Sequence, residues 1–383
     1  MPRKRSLYSN QFRRLGPTRR RFLQGSAAAI AGVTLSNCRQ NIASVSEAET
    51  EVAAAEAGEA SGVLNVYTWA DYTNDQLIEA FTEKTGIEVV VDIYDSNETM
   101  LAKMQAGGGD AYSVIYPSDY MVQEMISLGM LTKLDKSRIT GIDNIFDKWQ
   151  DPVYDSGNNF SVPFAWGTTG LLYNKDIITD NPEDWDYLWD NSSALSRQIT
   201  LLDDVRETMG AVLKSLGYSY NSTDPAEIEE AYNKLVELKP AIASFMSFGF
   251  EDGLLGGDLA VVMAYSVDAL SSIAEDDRLE YVIPFSGSSV WTDTMIIPTS
   301  APNVDAAYEW INFNLQPEIA QLNTETLFNA TPNKIAYDNL SDEFKSNTDL
   351  FPPEEILAKC EGIAPVGDAS AIYDEFWTRV TSA

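Results

Sequence analysis

Histidine is absent from the 383-residue sequence, and cysteine appears only twice, as Cys38 and Cys360. Without histidine the commonest general base near neutral pH and the commonest zinc ligand are both missing, which leaves carboxylate chemistry open. Two cysteines, one of them at a processing site described below, do not make an internal disulfide framework. Basic residues are scarce too, with 26 Lys and Arg against 58 Asp and Glu. Eight of those 26 fall in residues 1–37, where there is no acid, so the rest of the chain sets 18 against 58. Such a surface repels nucleic acid, whose binding needs basic side chains on phosphates. It attracts cations, although solubility alone is the plainer reason for the charge. Long apolar runs are also missing. The stretch 25–35 is too short to span a bilayer, and no other segment comes closer.

What is present is ordinary globular material, 44% hydrophobic and 22% charged, enough for two core-forming domains. The N-terminus differs from it. Thr18-Arg19-Arg20-Arg21-Phe22-Leu23-Gln24 resembles the twin-arginine export signature, and Leu35-Ser36-Asn37-Cys38 resembles a lipobox, with Asn37 in place of the usual small residue. Residues 1–37 are therefore expected to be a lipoprotein signal. Residues 38–61, rich in Ala, Glu and Ser, read as a flexible acidic tether. A periplasmic protein held to a membrane through lipidated Cys38 follows as the expectation.

From Gly62 onward short apolar runs alternate with amphipathic ones. Strands are expected at 63–67, 87–93, 112–116, 171–173, 199–202 and 261–264. Helices are expected at 75–85, 97–106, 208–216, 225–238 and 305–315. This order implies an α/β protein with mostly parallel sheets covered by helices. Ligands of such sheets bind beyond the carboxyl ends of the strands, here the loops 68–73 and 117–120. Asp119, between Ser118 and Tyr120, is expected to point the opposite way if that loop is extended.

A series of tags carries a resemblance: Tyr67-Thr68-Trp69-Ala70-Asp71-Tyr72, Glu98-Thr99-Met100, Tyr116-Pro117-Ser118-Asp119-Tyr120 and Pro163-Phe164-Ala165-Trp166-Gly167. Leu202-Asp203-Asp204-Val205-Arg206-Glu207, Val290-Trp291-Thr292-Asp293 and Thr331-Pro332-Asn333 continue it in the same order. Together they resemble the periplasmic spermidine/putrescine-binding family of polyamine ABC transporters. The resemblance implies a type II periplasmic-binding fold of two α/β lobes joined by crossover strands. Lobe one would be 62–168 with 293–337 and lobe two 169–292 with 338–383, the chain crossing near Gly167-Thr168, Thr292 and Ile335. It implies a monomeric, non-catalytic receptor, without cofactor or metal, that captures spermidine or putrescine and delivers it to membrane permease subunits.

Carried over residue by residue, the implied ligand contacts are Trp69, Asp71, Tyr72, Ser118, Tyr120, Asp204, Glu207, Tyr265, Trp291 and Asp293. Ala70 falls on a further contact position but is small where a relative has a hydroxyl. Tyr265 stands where Trp is usual, and Asn329 and Ile363 fall where Tyr and Gln are usual. The residue types suit a polyamine: buried ammoniums need carboxylates or several acceptors, and aromatic faces hold the methylenes between them. Taken singly, the same residues have plainer readings. Trp69 or Trp291 alone suits a core, an Asp204/Glu207 pair suits a helix start, and Asp293 suits an edge strand. The alternatives are a receptor for ferric iron or sugar, a surface interaction protein, or a glycosidase, which needs two carboxyls set across a scissile bond.

Overall fold

A computed structural model describes residues 62–70 and 72–382. The expected signal, the tether with Cys38, and Asp71 lie outside the described residues. Among the described residues nine strands are present: β1 (Val63–Trp69), β2 (Glu88–Tyr94), β3 (Val114–Ile115), β4 (Ser161–Asn174), β5 (Ile199–Leu201), β6 (Ile242–Phe245), β7 (Val261–Tyr265), β8 (Leu279–Val282) and β9 (Val290–Ile296). They follow the order β2-β1-β3-β9-β4-β7-β5-β6, with β8 also paired to β4. The first half of this path is β2 to β9, and the second is β7 to β6.

β4 joins the halves. Its residues up to Thr168 pair with β9, and from Thr169 they pair with β7. Every one of its 14 residues is buried, so it shows no alternation of apolar and polar positions. That is why only its 171–173 portion reads as a strand in the sequence. The expected mostly parallel sheets are mixed. β1 is parallel to β2 and β3, and β5 to β6 and β7, while β3–β9, β4–β9, β4–β7 and β4–β8 are antiparallel. β4 and β9 run in opposite senses side by side, and this sets the antiparallel pairs at the centre.

Local chemistry fixes the elements that carry the strand ends. The helix Asp75–Thr85 starts where the Asn74 side chain accepts from Leu77 N and stops at Gly86, whose φ of 73° suits glycine. Leu77 and Phe81, one turn apart, are both buried, and Phe81 lies in the first core. There Phe81 meets Trp310 edge-on at 4.9 Å. The helix Val205–Ser215 begins three residues earlier than periodicity suggests, because Asp204 caps it by accepting from Arg206 N and Glu207 N. The capping places Glu207 in its first turn.

Three segments pass between the halves side by side. Ser288 Oγ donates to Thr169 O at 2.6 Å, Glu361 N donates to Ser288 O at 2.9 Å, and Val290 N donates to Glu361 O at 2.9 Å. The second crossing thus precedes β9 rather than falling at Thr292. The third lies beyond Ile335. Asn333 Nδ2 donates to Leu315 O, the Tyr337 ring sits 4.9 Å from Phe351, and Leu350 is buried in the first core. The stretch 338–351, expected in the second lobe, therefore packs with the first half. Only after it does the chain reach the helix Ser370–Thr381, which packs in the second core. Among the described residues no helix is long and apolar enough to cross a membrane.

Candidate ligand-binding cleft

The strand ends of both halves meet at a cleft of about 630 Å³, including its part open to solvent. Asp71 aside, every expected site residue lines it: Trp69, Tyr72, Ser118, Tyr120, Asp204, Glu207, Tyr265, Trp291 and Asp293. Ala70 and Ile363 line it too. Asn329 does not. It is buried beside the crossing strand β4, through Ala330 bridged to Trp166, and its side-chain amide has no hydrogen-bond partner among the described residues.

On the first half, Asp293 sits mid-strand in β9 and is 4% exposed. Ser118 Oγ donates to its Oδ1 at 2.6 Å, and the Tyr72 hydroxyl donates to its Oδ2. Burial pushes this carboxyl up to about 6, against the pull of the Ser118 and Tyr72 donors. Burial and the Asp293 charge push the Tyr72 hydroxyl well above its ordinary range, so it remains a donor. Asn97, from the helix Asn97–Gln105, ties this wall together by donating to Ser118 Oγ at 3.0 Å and Tyr120 OH at 3.1 Å. Tyr120 in turn donates to Glu98 Oε1 at 3.0 Å. Glu98 is solvent-accessible, yet its surroundings and the Asp204 charge push it up to about 7. Trp69, at the end of β1, is held by its Nε1 donating to Tyr116 O at 2.9 Å.

On the second half, Asp204 is half-buried at the start of its helix. Burial raises its pKa while the Glu207 and Arg206 N–H groups hold it down. Glu207 is 2% exposed and accepts from Tyr220 OH at 2.8 Å and from Ser289 Oγ at 2.8 and 3.0 Å. Burial, followed by the Asp204 charge, pushes it up to about 8. Gly210 makes this reach possible: a Cβ there would stand 2.0 Å from the Tyr220 ring. Tyr265 and Trp291 cross edge to face at 6.1 Å, at the junction of the two halves. The Trp291 ring lies flush against Gly167, where a Cβ would stand 2.3 Å from it.

Asp119 does not point away. A helix, Asp119–Ser127, begins at this residue, so positions 118, 119 and 120 fan around a first turn instead of alternating, and all three line the cleft. The sequence reading also missed Asn97, Phe248, Val267 and Asp268. Asn97 stands next to the Glu98-Thr99-Met100 tag, which was signal enough. Nothing in the sequence marks the others.

Chemically, the cleft is a set of buried carboxylates between aromatic walls. No ion pair among the described residues involves Asp119, Asp204, Glu207 or Asp293. Leaving buried carboxylates without cations is costly, so they hold protons or await a cationic guest. Among the described residues no group of three or more His, Cys, Asp or Glu is placed to hold a metal ion.

Residues 76–352 match the model of a family described as bacterial extracellular solute-binding protein. The chain is 37% identical over 318 residues to the spermidine/putrescine-binding periplasmic protein of Salmonella typhimurium, covering 83% of this chain and 91% of that protein. Among solved structures, a putative spermidine/putrescine ABC transporter from Listeria monocytogenes superposes with a TM-score of 0.78 at 36% identity, covering 83% of this chain and 98% of that one. The substrate-binding protein PotD of a spermidine/putrescine ABC transporter from Streptococcus pneumoniae, solved with calcium and HEPES, gives 0.73 at 35% identity, covering 84% and 98%.

Proposed function

Because the chain belongs to the bacterial extracellular solute-binding protein family, we propose that it is the substrate-binding component of a polyamine ABC transporter. It takes up spermidine or putrescine in the cleft and passes it to membrane permease subunits. The observation that carries this reading is the set of cleft carboxylates, buried Asp293 on one half and half-buried Asp204 with buried Glu207 on the other, none of them in an ion pair among the described residues. A polyamine supplies the missing charges at intervals along an apolar chain. Trp69, Tyr72, Tyr120, Tyr265 and Trp291 offer aromatic faces on which an ammonium gains about 0.5–2 kcal/mol. Asp71 is assigned by the sequence resemblance to the same site. No step of this function is catalytic.

The two halves act as lobes that close on the ligand, 62–168 with 290–351 and 169–287 with 361–382. Their hinge is the trio of adjacent crossings at 168–169, 288–290 and 352–361. The protein works in the periplasm, tethered through an acylated Cys38. Cys38→Ala would then move it from the membrane to the soluble fraction with ligand binding intact, and a wild-type protein already wholly soluble would overturn the tether.

Titration calorimetry of the purified domain against spermidine, putrescine, maltose and ferric citrate tests the main reading. Heat from the two polyamines alone is expected. Binding of the sugar or the iron complex without either polyamine would overturn it.

A further inference from the structure

Asp119 is a cleft carboxylate that the expected contacts do not use. It is 7% exposed and lines the cleft. Its Oδ1 accepts from Tyr120 N at 2.8 Å. Its Oδ2 faces the opposite half, where a Cβ on Gly362 would stand 3.9 Å away. That opposing segment is firmly held. Asn221 Nδ2 donates to Gly362 O at 2.9 Å, Asn221 Oδ1 accepts from Ala364 N at 2.8 Å, and Arg206 Nη1 donates to Ala364 O at 2.9 Å. Asp119 thus sits where the first half closes on a rigid piece of the second, with Ile363 beside it in the cleft lining.

We propose that Asp119 is a further binding carboxylate, which sets the preference of the site for a triamine over a diamine; this rests on the polyamine reading above. Asp119 then stands with Asp293 on the first half, across the cleft from Asp204 and Glu207. A diamine brings two ammoniums, which the carboxylates already assigned to the site satisfy, so Asp119 stays protonated beneath it. Burial, with the charges of Asp293 and Glu207, raises its pKa well above the usual carboxylate range against the pull of the Tyr120 and Thr292 N–H groups. A third ammonium brings the charge that lets Asp119 ionise, and its proton leaves to solvent. A solely structural Asp119, serving as a first-turn acid of its helix, would act on both ligands alike.

The test is titration of wild type, Asp119→Asn and Asp119→Ser with spermidine and with putrescine, in two buffers of different ionisation enthalpy to count protons. In both variants spermidine affinity is expected to fall about tenfold or more, on the scale of a lost buried charge partner, with putrescine changed less than about threefold. Wild-type protein is expected to release more protons with spermidine than with putrescine. Equal losses for the two ligands, no loss, or equal proton counts in the wild type would overturn the assignment and leave the polyamine reading standing. Wild-type protein that binds neither amine would overturn both. The wild-type proton count needs no variant to fold.

Discussion

The two walls of the cleft hold their carboxylates by different means. On the first half, Asp293 sits on a strand and accepts on its two oxygens from the hydroxyls of Tyr72 and Ser118, residues far away in sequence. On the second half, Asp204 doubles as a helix cap, accepting from Arg206 N at 2.9 Å and Glu207 N at 3.0 Å. The first wall thus holds its carboxylate by two side-chain hydroxyls that line the cleft with it, whereas the second ties Asp204 to the backbone of its own helix. The N–H groups and dipole of a helix start already offset part of the Asp204 charge, so Asp293 should offer a guest the more.

The sharpest way to break this comparison is Asp293→Asn. It keeps the shape of the side chain and removes a charge facing a buried cation, so polyamine affinity should drop roughly 30-fold or more, as when one member of a buried charge pair is lost. Affinity within a few-fold of wild type by calorimetry would mean that the first wall is not the cation site. Asp204→Asn should cost less, about tenfold. Asn caps a helix nearly as well as Asp, so thermal stability should hold while only the shared charge is lost. A larger loss than for Asp293→Asn would invert the ranking of the two walls.

Proton competition separates the walls further. With Glu207 pushed up to about 8 and Asp293 up to about 6, the empty site holds protons that ligand ammoniums must displace. Polyamine affinity should therefore rise several-fold between pH 6 and pH 8, chiefly through Glu207. Stability of the empty domain should run the other way. A carboxyl whose folded pKa is raised stabilises the fold fully below its unfolded value, and that contribution is lost as pH rises through the folded value. Melting temperature without ligand should thus fall between about pH 5 and pH 8. Glu207→Gln should flatten both trends, and an unchanged pH profile in that variant would assign the proton elsewhere.

Trp291→Leu removes an aromatic wall and leaves every carboxylate in place. Its cost should be about threefold to tenfold for both amines, the range of an ammonium–ring contact. The smallest effect is expected far from the cleft. Asn74→Ala removes the cap donated to by Leu77 N at 3.0 Å and should lower stability by about 1 kcal/mol with no change in affinity. A shift in affinity there would show that the start of this helix is coupled to the loop holding Tyr72.

Legibility in the sequence followed the range of the interactions. The helix Asp75–Thr85 was readable end to end, because its cap, its apolar pair and its terminal glycine all lie within one short window. The antiparallel centre was not. β4 is buried along its whole length, and its partners β9 and β7 lie about a hundred residues further on. The third crossing was misplaced for a similar reason, since only packing against Phe146 and the first core shows where the helix Lys334–Asn339 belongs.

By itself the sequence determined the α/β class, the acidic surface, the family resemblance and most of the residues that line the cleft, since residue types and local spacing carry that information. It did not determine what each carboxylate is bound to or how strongly it holds a proton. Those depend on desolvation and on partners brought from afar: Tyr72 and Ser118 to Asp293, Tyr220 and Ser289 to Glu207. Asp119 shows the limit most clearly. Its neighbours in sequence suggested an extended loop and an outward side chain, but the helix that begins at that residue turns it into the cleft. Two carboxylates with the same local sequence signal can differ in function when only the closure of two halves around them excludes the water.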